Sequence, residues 1–380
     1  MQIFVLGMHR SGTSALARTL ALLGCRAGGP DDFPEADEAN PRGYWERRDV
    51  WRLDEDLLEA LGAAWDEVGH LNPDLLLSAL PAADLAPLER RAREIVAGLD
   101  GAEGAGRPWV VKDPRLCLTF PLWQKVLSAP VCVMIERSPL SVARSLAARD
   151  GFPLALGIAL WERYVRSALA VSEGLPRFLV RYEDLVDRPR ETATRLREEL
   201  EKRGVSGLAE PAGGTLEAFL DPALERHPRE PEVEAELLNP AQRALADALS
   251  ETLPLAAGTL SLGARDLLER HAAANRRRAA RRAEIEDLYA RLAETAAGAE
   301  RERAAFEAER ALRAIGDREA ALALAAEHEA RERVEEAARA LTEQARLLQE
   351  KIAQDSAVFT LEHAERLRLE AALEGLRPVP

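Results

Sequence analysis

The sequence predicts an α/β domain in three layers, with a central parallel sheet between two layers of helices, followed by a long α-helical region. Short apolar runs of the kind that form buried parallel strands recur before Gly263, and amphipathic helical patterns lie between them. This alternation of strand and helix is typical of a parallel sheet with helices on both faces. The strand-like runs are 2–6, 109–111, 131–135 and 178–180, and the clearest helical patterns are 137–148, 155–171 and 190–203.

The helical region begins where the composition changes, near Gly263. From 264 to 376 the chain consists mostly of Ala, Glu, Arg and Leu and contains no proline, which favours long helices. Apolar residues recur at spacings of three and four only locally, so a sustained heptad is absent. The sequence therefore predicts two domains, 1–262 and 263–380. The second is either a broken helical hairpin or weak coiled coil, or a solvated helix stabilised by intrahelical charge pairs.

The overall composition limits the possible functions. Hydrophobic residues make up 47% of the 380 residues, which supports a sizeable core, and the net charge is −14. No nucleic-acid partner is expected, because nucleic-acid binding needs a basic surface. The three cysteines, Cys25, Cys117 and Cys132, lie in apolar contexts without metal-ligand spacing. They are predicted to be buried thiols rather than a disulfide or a metal site.

The sequence also shows no run of residues typical of a membrane span or a signal peptide. No apolar run approaches the roughly 18 residues of a membrane-spanning helix. The first apolar run, 2–6, leads directly into a glycine loop, which is unlike a signal peptide. The sequence therefore predicts a protein without a membrane span that works in the cytoplasm.

A glycine loop follows the first predicted strand. Residues Gly7 to Ser14 read Gly-Met-His-Arg-Ser-Gly-Thr-Ser and precede an apolar-periodic stretch. The N-terminus of a helix offers unpaired N–H groups and a positive dipole end, which together favour a bound anion. The glycine spacing matches a P-loop, but Thr13 stands where a nucleotide triphosphatase has lysine, and Arg10 lies inside the loop. The loop therefore predicts a site for a phosphate-like anion rather than for a magnesium-bound triphosphate.

Polar residues also follow the other predicted strands, at the sheet edge where α/β proteins bind ligands. Lys112-Asp113-Pro114-Arg115 follows the second strand, and the run from Arg181 to Leu185 follows the fourth. Arg137 follows the third strand, and Ser145 comes eight residues later on the next helix. We expect Arg137 and Ser145 to converge on one anion.

Together these segments resemble a sulfotransferase that uses 3′-phosphoadenosine 5′-phosphosulfate (PAPS). The chain is most similar to bacterial sulfotransferase-domain proteins and, more distantly, to tyrosylprotein and heparan sulfotransferases. The resemblance covers residues 1–225 and depends on the loop Gly7–Ser14, the Lys112-Asp113-Pro114 turn, the Arg137 and Ser145 pair and the Arg-Tyr-Glu-Asp-Leu run at 181–185. It implies a P-loop fold, PAPS as sulfonate donor and no metal.

The resemblance also implies roles for individual residues. The glycine loop would hold the 5′-phosphosulfate, while Arg137 and Ser145 would hold the 3′-phosphate. Arg181 or Tyr182 would flank the adenine or the 3′-phosphate, and for Tyr182 packing in the core is an equal alternative. The residues assigned to the nucleotide in this way are His9, Arg10, Ser11, Gly12, Thr13, Ser14, Arg137, Ser145, Arg181 and Tyr182.

Catalysis of sulfonate transfer depends mainly on positioning and cations, as in phosphoryl transfer. By the resemblance, Arg10 and Lys112 would stabilise the leaving phosphate. The acceptor hydroxyl needs a general base, for which Glu46 is the first candidate and Asp113 the second. A purely structural role for Asp113 beside Lys112 and Arg115 is the alternative.

The expected reaction is transfer of sulfonate from PAPS to a hydroxyl acceptor, a carbohydrate or glycoconjugate. The chain departs from cytosolic sulfotransferases because no Arg-Lys-Gly element appears before residue 262. Two alternatives stay open: a non-catalytic scaffold that assembles through its helical tail, and a P-loop kinase, which Thr13 disfavours. The tail, 264–376, is expected to support self-association or docking of a partner.

Overall fold

A computed structural model describes residues 1–35, 43–101, 106–220, 229–251, 256–313 and 320–374. Within these residues, four parallel strands form one sheet in the order β2-β1-β3-β4. Each strand contains one of the four predicted apolar runs, so the predicted α/β fold is confirmed. The strands are β1 Gln2–Leu6, β2 Trp109–Lys112, β3 Pro130–Glu136 and β4 Arg177–Arg181.

Helices occupy most of the remaining described chain. Single turns of 3₁₀ helix are also present at Pro30–Asp32, Pro73–Leu75 and Leu77–Ala79. The α-helices are α1 Thr13–Leu22, α2 Arg48–Ala60, α3 Ala82–Gly101, α4 Leu116–Gln124, α5 Pro139–Asp150, α6 Leu154–Val171, α7 Tyr182–Asp187, α8 Pro189–Lys202, α9 Thr215–Phe219, α10 Pro231–Leu237, α11 Pro240–Glu251, α12 Leu262–Arg313 and α13 Ala320–Glu374.

The two faces of the sheet pack against two separate hydrophobic clusters. Side chains alternate between the faces along each strand. Phe4 and Leu6 of β1 therefore join one cluster, which includes residues of α2 to α6. Ile3 and Val5 join the other, which includes residues of α1 and α8. The result is three layers, with the sheet between two layers of helices.

The strand order places a ligand crevice beside β1. The chain runs from β1 to β2 on one side and then crosses to β3 on the other side. In open α/β sheets, ligands bind at the carboxyl ends of the strands where the order reverses in this way. The glycine loop follows β1, and Arg137 follows β3, its parallel neighbour. These two predicted site segments therefore lie next to each other.

Local signals in the sequence determine where α5 begins and ends. The Ser138 side chain accepts a hydrogen bond from the Ser141 N–H at 3.2 Å, and Pro139 occupies the first helical position. Gly151 ends the helix with a φ of 71°. Arg137 thus stands at the junction between β3 and α5.

The chain divides into two compact units, Met1–Ala272 and Ala273–Pro380. Two long helices, α12 and α13, make up the described part of the second unit, as expected from its composition. Exposed pairs such as Arg303–Glu307 and Arg331–Glu335 link successive turns of these helices. Two statements stay predictions: 1–262 and 263–380 are separate domains, and the tail forms a coiled coil.

Within the described ranges, no helix is long and apolar enough to cross a membrane. The same residues contain no group of three or more His, Cys, Asp or Glu side chains that could hold a metal ion. Cys25, Cys117 and Cys132 are buried and form no disulfide, as predicted.

Candidate functional site

The glycine loop joins β1 to the N-terminus of α1 in an unusual backbone conformation. Arg10 has a φ of 67° and Gly12 a φ of 90°. Positive φ is strained for a residue with a side chain, and such strain concentrates at functional sites. The only other non-glycine residue with positive φ in the described chain is Trp45, at 58°, in a segment that contacts this loop.

Gly7 and Gly12, the two glycines of the loop, need to be glycine because other groups approach them closely. A Cβ atom on Gly7 would lie 2.7 Å from Cγ2 of Ile135 in β3. A Cβ atom on Gly12 would lie 2.3 Å from Cδ2 of Tyr182. The Gly7 N–H also donates to the Cys117 Sγ at 3.1 Å. The loop is thus held between β3, Tyr182 and α4.

Arg10 links the residues predicted to bind the 3′-phosphate. Its Nε donates to the Ser145 Oγ at 2.9 Å, and Arg137 donates from Nη1 to the Arg10 carbonyl at 3.1 Å. The Arg137 guanidinium also lies over the Tyr182 ring, with Cζ 4.3 Å from the ring centre, a cation–π contact. The structure therefore brings Arg10, Arg137, Ser145 and Tyr182 together.

Lys112 and Glu46 form a buried ion pair on the β2 side of the loop. Lys112, 2% exposed, donates from Nζ to the Glu46 Oε1 at 2.6 Å and to the Tyr44 carbonyl at 2.6 Å. The Ser14 hydroxyl donates to the same carbonyl at 2.7 Å. Residues 44–46 therefore connect the first turn of α1 to the end of β2, and they bring two predicted catalytic residues into contact.

The environment of Glu46 makes its carboxylate more basic than usual. Burial raises the pKa of Glu46, and the negative charge of Asp113 raises it further, while Lys112 acts in the opposite direction. A proton acceptor works best when its pKa is near the operating pH. The direction of this shift suits a general base.

Asp113 lies in a buried polar network behind Lys112. It is 0% exposed, and it accepts hydrogen bonds from the Arg115 N–H at 2.8 Å and from the Arg115 Nη1 at 3.1 Å. Arg115 also donates to the Glu55 Oε1 at 3.0 Å. Burial, and then the charge of Asp113, raise the pKa of Asp54 well above its usual range. Both Asp54 and Arg115 were outside the set predicted from sequence.

His9 lies in an aromatic cluster rather than among polar groups. Its ring centre is 4.6 Å from that of Trp65 and 5.7 Å from that of Tyr164. Burial, and then the positive charges of Arg115 and Arg149, lower the pKa of His9 well below its usual range, so the ring is neutral. Its Nε2 is buried and has no hydrogen-bond partner in the part of the chain that the structure describes.

The remaining predicted residues lie at the ends of β1 and β4. Ser11 and Thr13 are buried in the loop and at the start of α1, and Ser11 N–H donates to the Met8 carbonyl at 3.1 Å. Arg181 ends β4 and pairs in register with Glu136 of β3. Burial, followed by the charge of Glu183, raises the pKa of Glu136 to about 8.

The arrangement suits a ligand with several negative charges. Burial lowers the pKa of Arg10, and the positive charges of Arg149 and Arg137 lower it further. Like charges repel one another until an anion binds among them. The start of α1 also favours an anion. These residues therefore fit a phosphate- or sulfate-bearing ligand, and Lys112 with Glu46 adds a cation and a proton acceptor beside it.

Sequence reasoning missed Trp65 and Arg149, which contact each other at the edge of this cluster. Arg149 lies four residues after Ser145, a spacing that places both on one side of α5 and that was available in the sequence. Trp65 lies between α2 and α3, in a connecting segment with no local pattern that signals a site.

Solved structures similar to this chain come from sulfotransferases. The solved structures similar to this chain include the sulfotransferase domain of the olefin synthase of Synechococcus PCC 7002, with 21% identity over 72% of this chain and 94% of that one. They also include the sulfotransferase domain from the curacin biosynthetic pathway, with 19% identity over 66% and 98%. The sulfotransferase STF9 of Mycobacterium avium matches with 18% identity over 68% and 78%. All three have a TM-score of 0.36.

A family model also matches the chain. No curated protein matches the chain. The sequence model of the sulfotransferase family matches residues 2–203, which is more than half of the chain. The matched range runs from β1 to the end of α8 and contains the glycine loop, Lys112, Arg137 and Ser145. The chain therefore belongs to the sulfotransferase family of transferases.

Proposed function

We propose that this protein transfers a sulfonate group from PAPS to a hydroxyl group of a saccharide or glycoconjugate. The observation that carries the proposal is the double contact of Arg10, whose side chain meets Ser145 and whose carbonyl meets Arg137. Through these contacts, the residues proposed for the 3′-phosphate and the cation of the glycine loop form one cluster. A single nucleotide with phosphate groups at both ends fits such a cluster.

On this proposal, the glycine loop binds the 5′-phosphosulfate of the donor. Ser11 and Gly12 lead into α1, and Thr13 and Ser14 are its first residues, where backbone N–H groups and the helix dipole favour the anion. Arg137 and Ser145 bind the 3′-phosphate, and Arg181 and Tyr182 lie beside the adenosine. The contact between Arg137 and the Tyr182 ring supports this, because it holds the guanidinium in one position before the nucleotide binds.

PAPS supplies a sulfonate that is already bonded to a good leaving group, so the protein has to position it and stabilise charge. Arg10 and Lys112 stabilise the negative charge that develops on the leaving phosphate. Glu46 accepts the proton of the acceptor hydroxyl. Lys112 donates a hydrogen bond to the Glu46 Oε1, so Oε2 is the oxygen that accepts that proton.

Asp113, the second candidate for the base, is less well suited to proton transfer. Arg115 donates to both of its carboxylate oxygens, at 3.1 Å and 3.3 Å, and the side chain is fully buried. These contacts favour a positioning role, in which Asp113 and Arg115 hold the end of β2 and therefore Lys112.

The reaction takes place in the cytoplasm, and the long helices α12 and α13 provide the surface for self-association or for docking of a partner. Four convergent polar groups, Arg10, Lys112, Arg137 and Ser145, argue against a non-catalytic scaffold, which has no use for them.

Calorimetry with 3′-phosphoadenosine 5′-phosphate (PAP) tests the donor site. We expect micromolar binding by the wild type and a loss of at least about a hundredfold in the double variant Arg137→Ala, Ser145→Ala, since hydrogen bonds to charged groups are involved. Arg144→Ala is the matched control, because Arg144 lies on the same helix but pairs with Glu230 at the surface. Absence of PAP binding by the folded wild type would refute the proposal.

A further inference from the structure

Arg149 lies next to the candidate site without belonging to any of its motifs. It follows Ser145 by four residues on α5, so both side chains lie on the same side of that helix. Ser145 contacts Arg10 of the glycine loop. Burial, and in addition the nearby charge of Arg149, lower the pKa of Arg10 and of His9 in the loop.

Several contacts hold the Arg149 guanidinium in place. Its Cζ lies 5.1 Å from the centre of the Trp65 ring, and Trp65 is stacked on Phe152 with 5.7 Å between ring centres. The Tyr164 hydroxyl donates to the Trp65 carbonyl at 2.7 Å, which fixes the backbone there. The Arg149 Nε donates to both oxygens of Asp150, at 3.0 Å and 2.8 Å. Its two terminal nitrogens make no hydrogen bond to another described residue.

Part of the Arg149 cluster comes from a chain segment that carries none of the residues proposed for the nucleotide. Arg137 and Tyr182 follow β3 and β4. Trp65 belongs to the connection after α2, and it contacts both Arg149 and His9. Transfer of a phosphoryl-like group proceeds roughly in line, so the acceptor and the leaving phosphate occupy different parts of the site. The segment of Trp65, which carries none of the residues proposed for the nucleotide, therefore suits the acceptor.

A second observation at the same place points to a ligand-binding role. His9 is 8% exposed, and its Nε2 is buried and has no hydrogen-bond partner among the described residues. A buried polar nitrogen without a partner is costly unless a bound molecule satisfies it. His9 and Arg149 both contact Trp65, so one ligand can serve both groups.

We propose that Arg149, held on Trp65, determines acceptor specificity by binding a negatively charged group of the acceptor, which is therefore an acidic saccharide or glycoconjugate. The inference rests on the proposed sulfotransferase function and narrows its substrate class. A guanidinium with two terminal nitrogens available pairs bidentately with carboxylate, phosphate or sulfate. The neutral ring of His9 hydrogen-bonds a hydroxyl of the same acceptor.

Calorimetry on the full chain, with and without bound PAP, tests this specificity. The carboxylate probe is p-nitrophenyl β-D-glucuronide against p-nitrophenyl β-D-glucoside, and the phosphate probe is glucose 6-phosphate against glucose. We expect the wild type to bind the acidic member of at least one pair at least about tenfold more tightly. Arg149→Gln removes this preference and leaves PAP affinity within about twofold, because the donor contacts remain.

Three further variants separate specificity from general effects. Arg149→Lys keeps the charge but not the bidentate geometry, so part of the preference remains. Trp65→Leu removes the ring that holds Arg149 and lowers the preference, with its melting temperature measured to confirm folding. Arg90→Gln removes the same charge from an exposed pair with Glu94 on α3 and leaves the preference unchanged.

Each other outcome overturns the proposal. Equal or undetectable binding of both members in both pairs, by a wild type that binds PAP, excludes an acidic acceptor. A preference that survives in Arg149→Gln assigns it to other residues. Loss of PAP affinity in Arg149→Gln moves Arg149 to the donor site and leaves the proposed function intact. If the wild type does not bind PAP, the proposed function is wrong. A preference for the acidic probe that is present in this wild type and lost in Arg149→Gln would still show an anion site at Arg149.

Discussion

The Arg10 Nε donates a hydrogen bond to the Ser145 Oγ, 2.9 Å away, and so joins the glycine loop to α5 across 135 residues of sequence. Ser145 is 5% exposed, and Arg10 adopts a strained backbone with a φ of 67°. The contact keeps the loop cation in the crevice between β1 and β3. One hydroxyl therefore positions a charged side chain that the proposed reaction needs.

Replacement of Ser145 by alanine tests that relationship. We expect PAP affinity to fall by about 5- to 100-fold, because a hydrogen bond to a charged group contributes about 1–3 kcal/mol. Calorimetry with PAP measures the change. Ser141→Ala is the control, because Ser141 is also buried on α5 but its hydroxyl has no partner among the described residues. Equal affinities for both variants would mean that the Ser145 hydroxyl has no such role.

A methyl group at Gly12 should disrupt the loop for two reasons. The added Cβ would lie 2.3 Å from Tyr182 Cδ2, and the φ of 90° is strained for alanine. Gly12→Ala should therefore lower the free energy of unfolding by about 2–4 kcal/mol and weaken PAP binding. Gly174→Ala is the matched control, because its φ is 74° and nothing lies within 4 Å of the added Cβ. The free energy of unfolding of Gly174→Ala should fall by about 1 kcal/mol, from backbone strain alone. Urea unfolding that shows equal losses for both variants would contradict the close contact with Tyr182.

The proton acceptor can be identified from the pH dependence of transfer. Burial raises the pKa of Glu46, and the base acts only when ionised, so activity should rise with pH at a value above that of an ordinary glutamate. Glu46→Gln should lower kcat about 10²- to 10⁴-fold, remove this rise and keep PAP affinity. Radiolabelled sulfonate transfer across a pH series measures both. A rise that persists in Glu46→Gln, and disappears in Asp113→Asn, would assign the base to Asp113.

Glu136 should make the protein less stable as pH rises. Its pKa is raised from 4.5 to about 8, by burial and then by the charge of Glu183. The folded state therefore binds the proton more tightly than the unfolded chain. The resulting stability is fully present below pH 4.5 and is lost as pH rises through 8. Glu136→Gln should remove this loss of stability at high pH. The melting temperature of the variant minus that of the wild type should therefore increase from pH 5 to pH 9.

The size of that effect is a few kcal/mol, because each pKa unit corresponds to about 1.4 kcal/mol. Thermal unfolding at several pH values measures it. Arg181 and Arg229 favour the charged form of Glu136, and Glu234 opposes it, so these groups share in the titration. Glu173→Gln, at an exposed position, should show no comparable trend. The same slope in Glu136→Gln and wild type would show that Glu136 is not the group responsible.

Sequence periodicity was sufficient to locate the sheet and its connections. All four strands contain their predicted apolar runs, and α5, α6 and α8 match predicted helices within two residues at each end. Where a predicted and an observed helix end differ, local capping explains the difference. Helix α5 begins after Ser138 because Ser138 caps the helix and Pro139 is its first residue. The glycine loop and the polar residues after each strand also sufficed to predict the family, which the match to residues 2–203 confirms. The roles of individual residues stay predictions.

What the sequence alone determined was therefore local: which segments form strands and helices, and which polar residues follow the strand ends. Only the tertiary structure decided which of these residues meet. Lys112 pairs with Glu46 across 66 residues, and Arg149 packs on Trp65 from a separate helix. Both Glu46 and Trp65 lie in irregular connections, whose paths depend on packing against distant segments. Such paths leave no periodic pattern in the sequence, because no regular hydrogen-bonded ladder repeats along them.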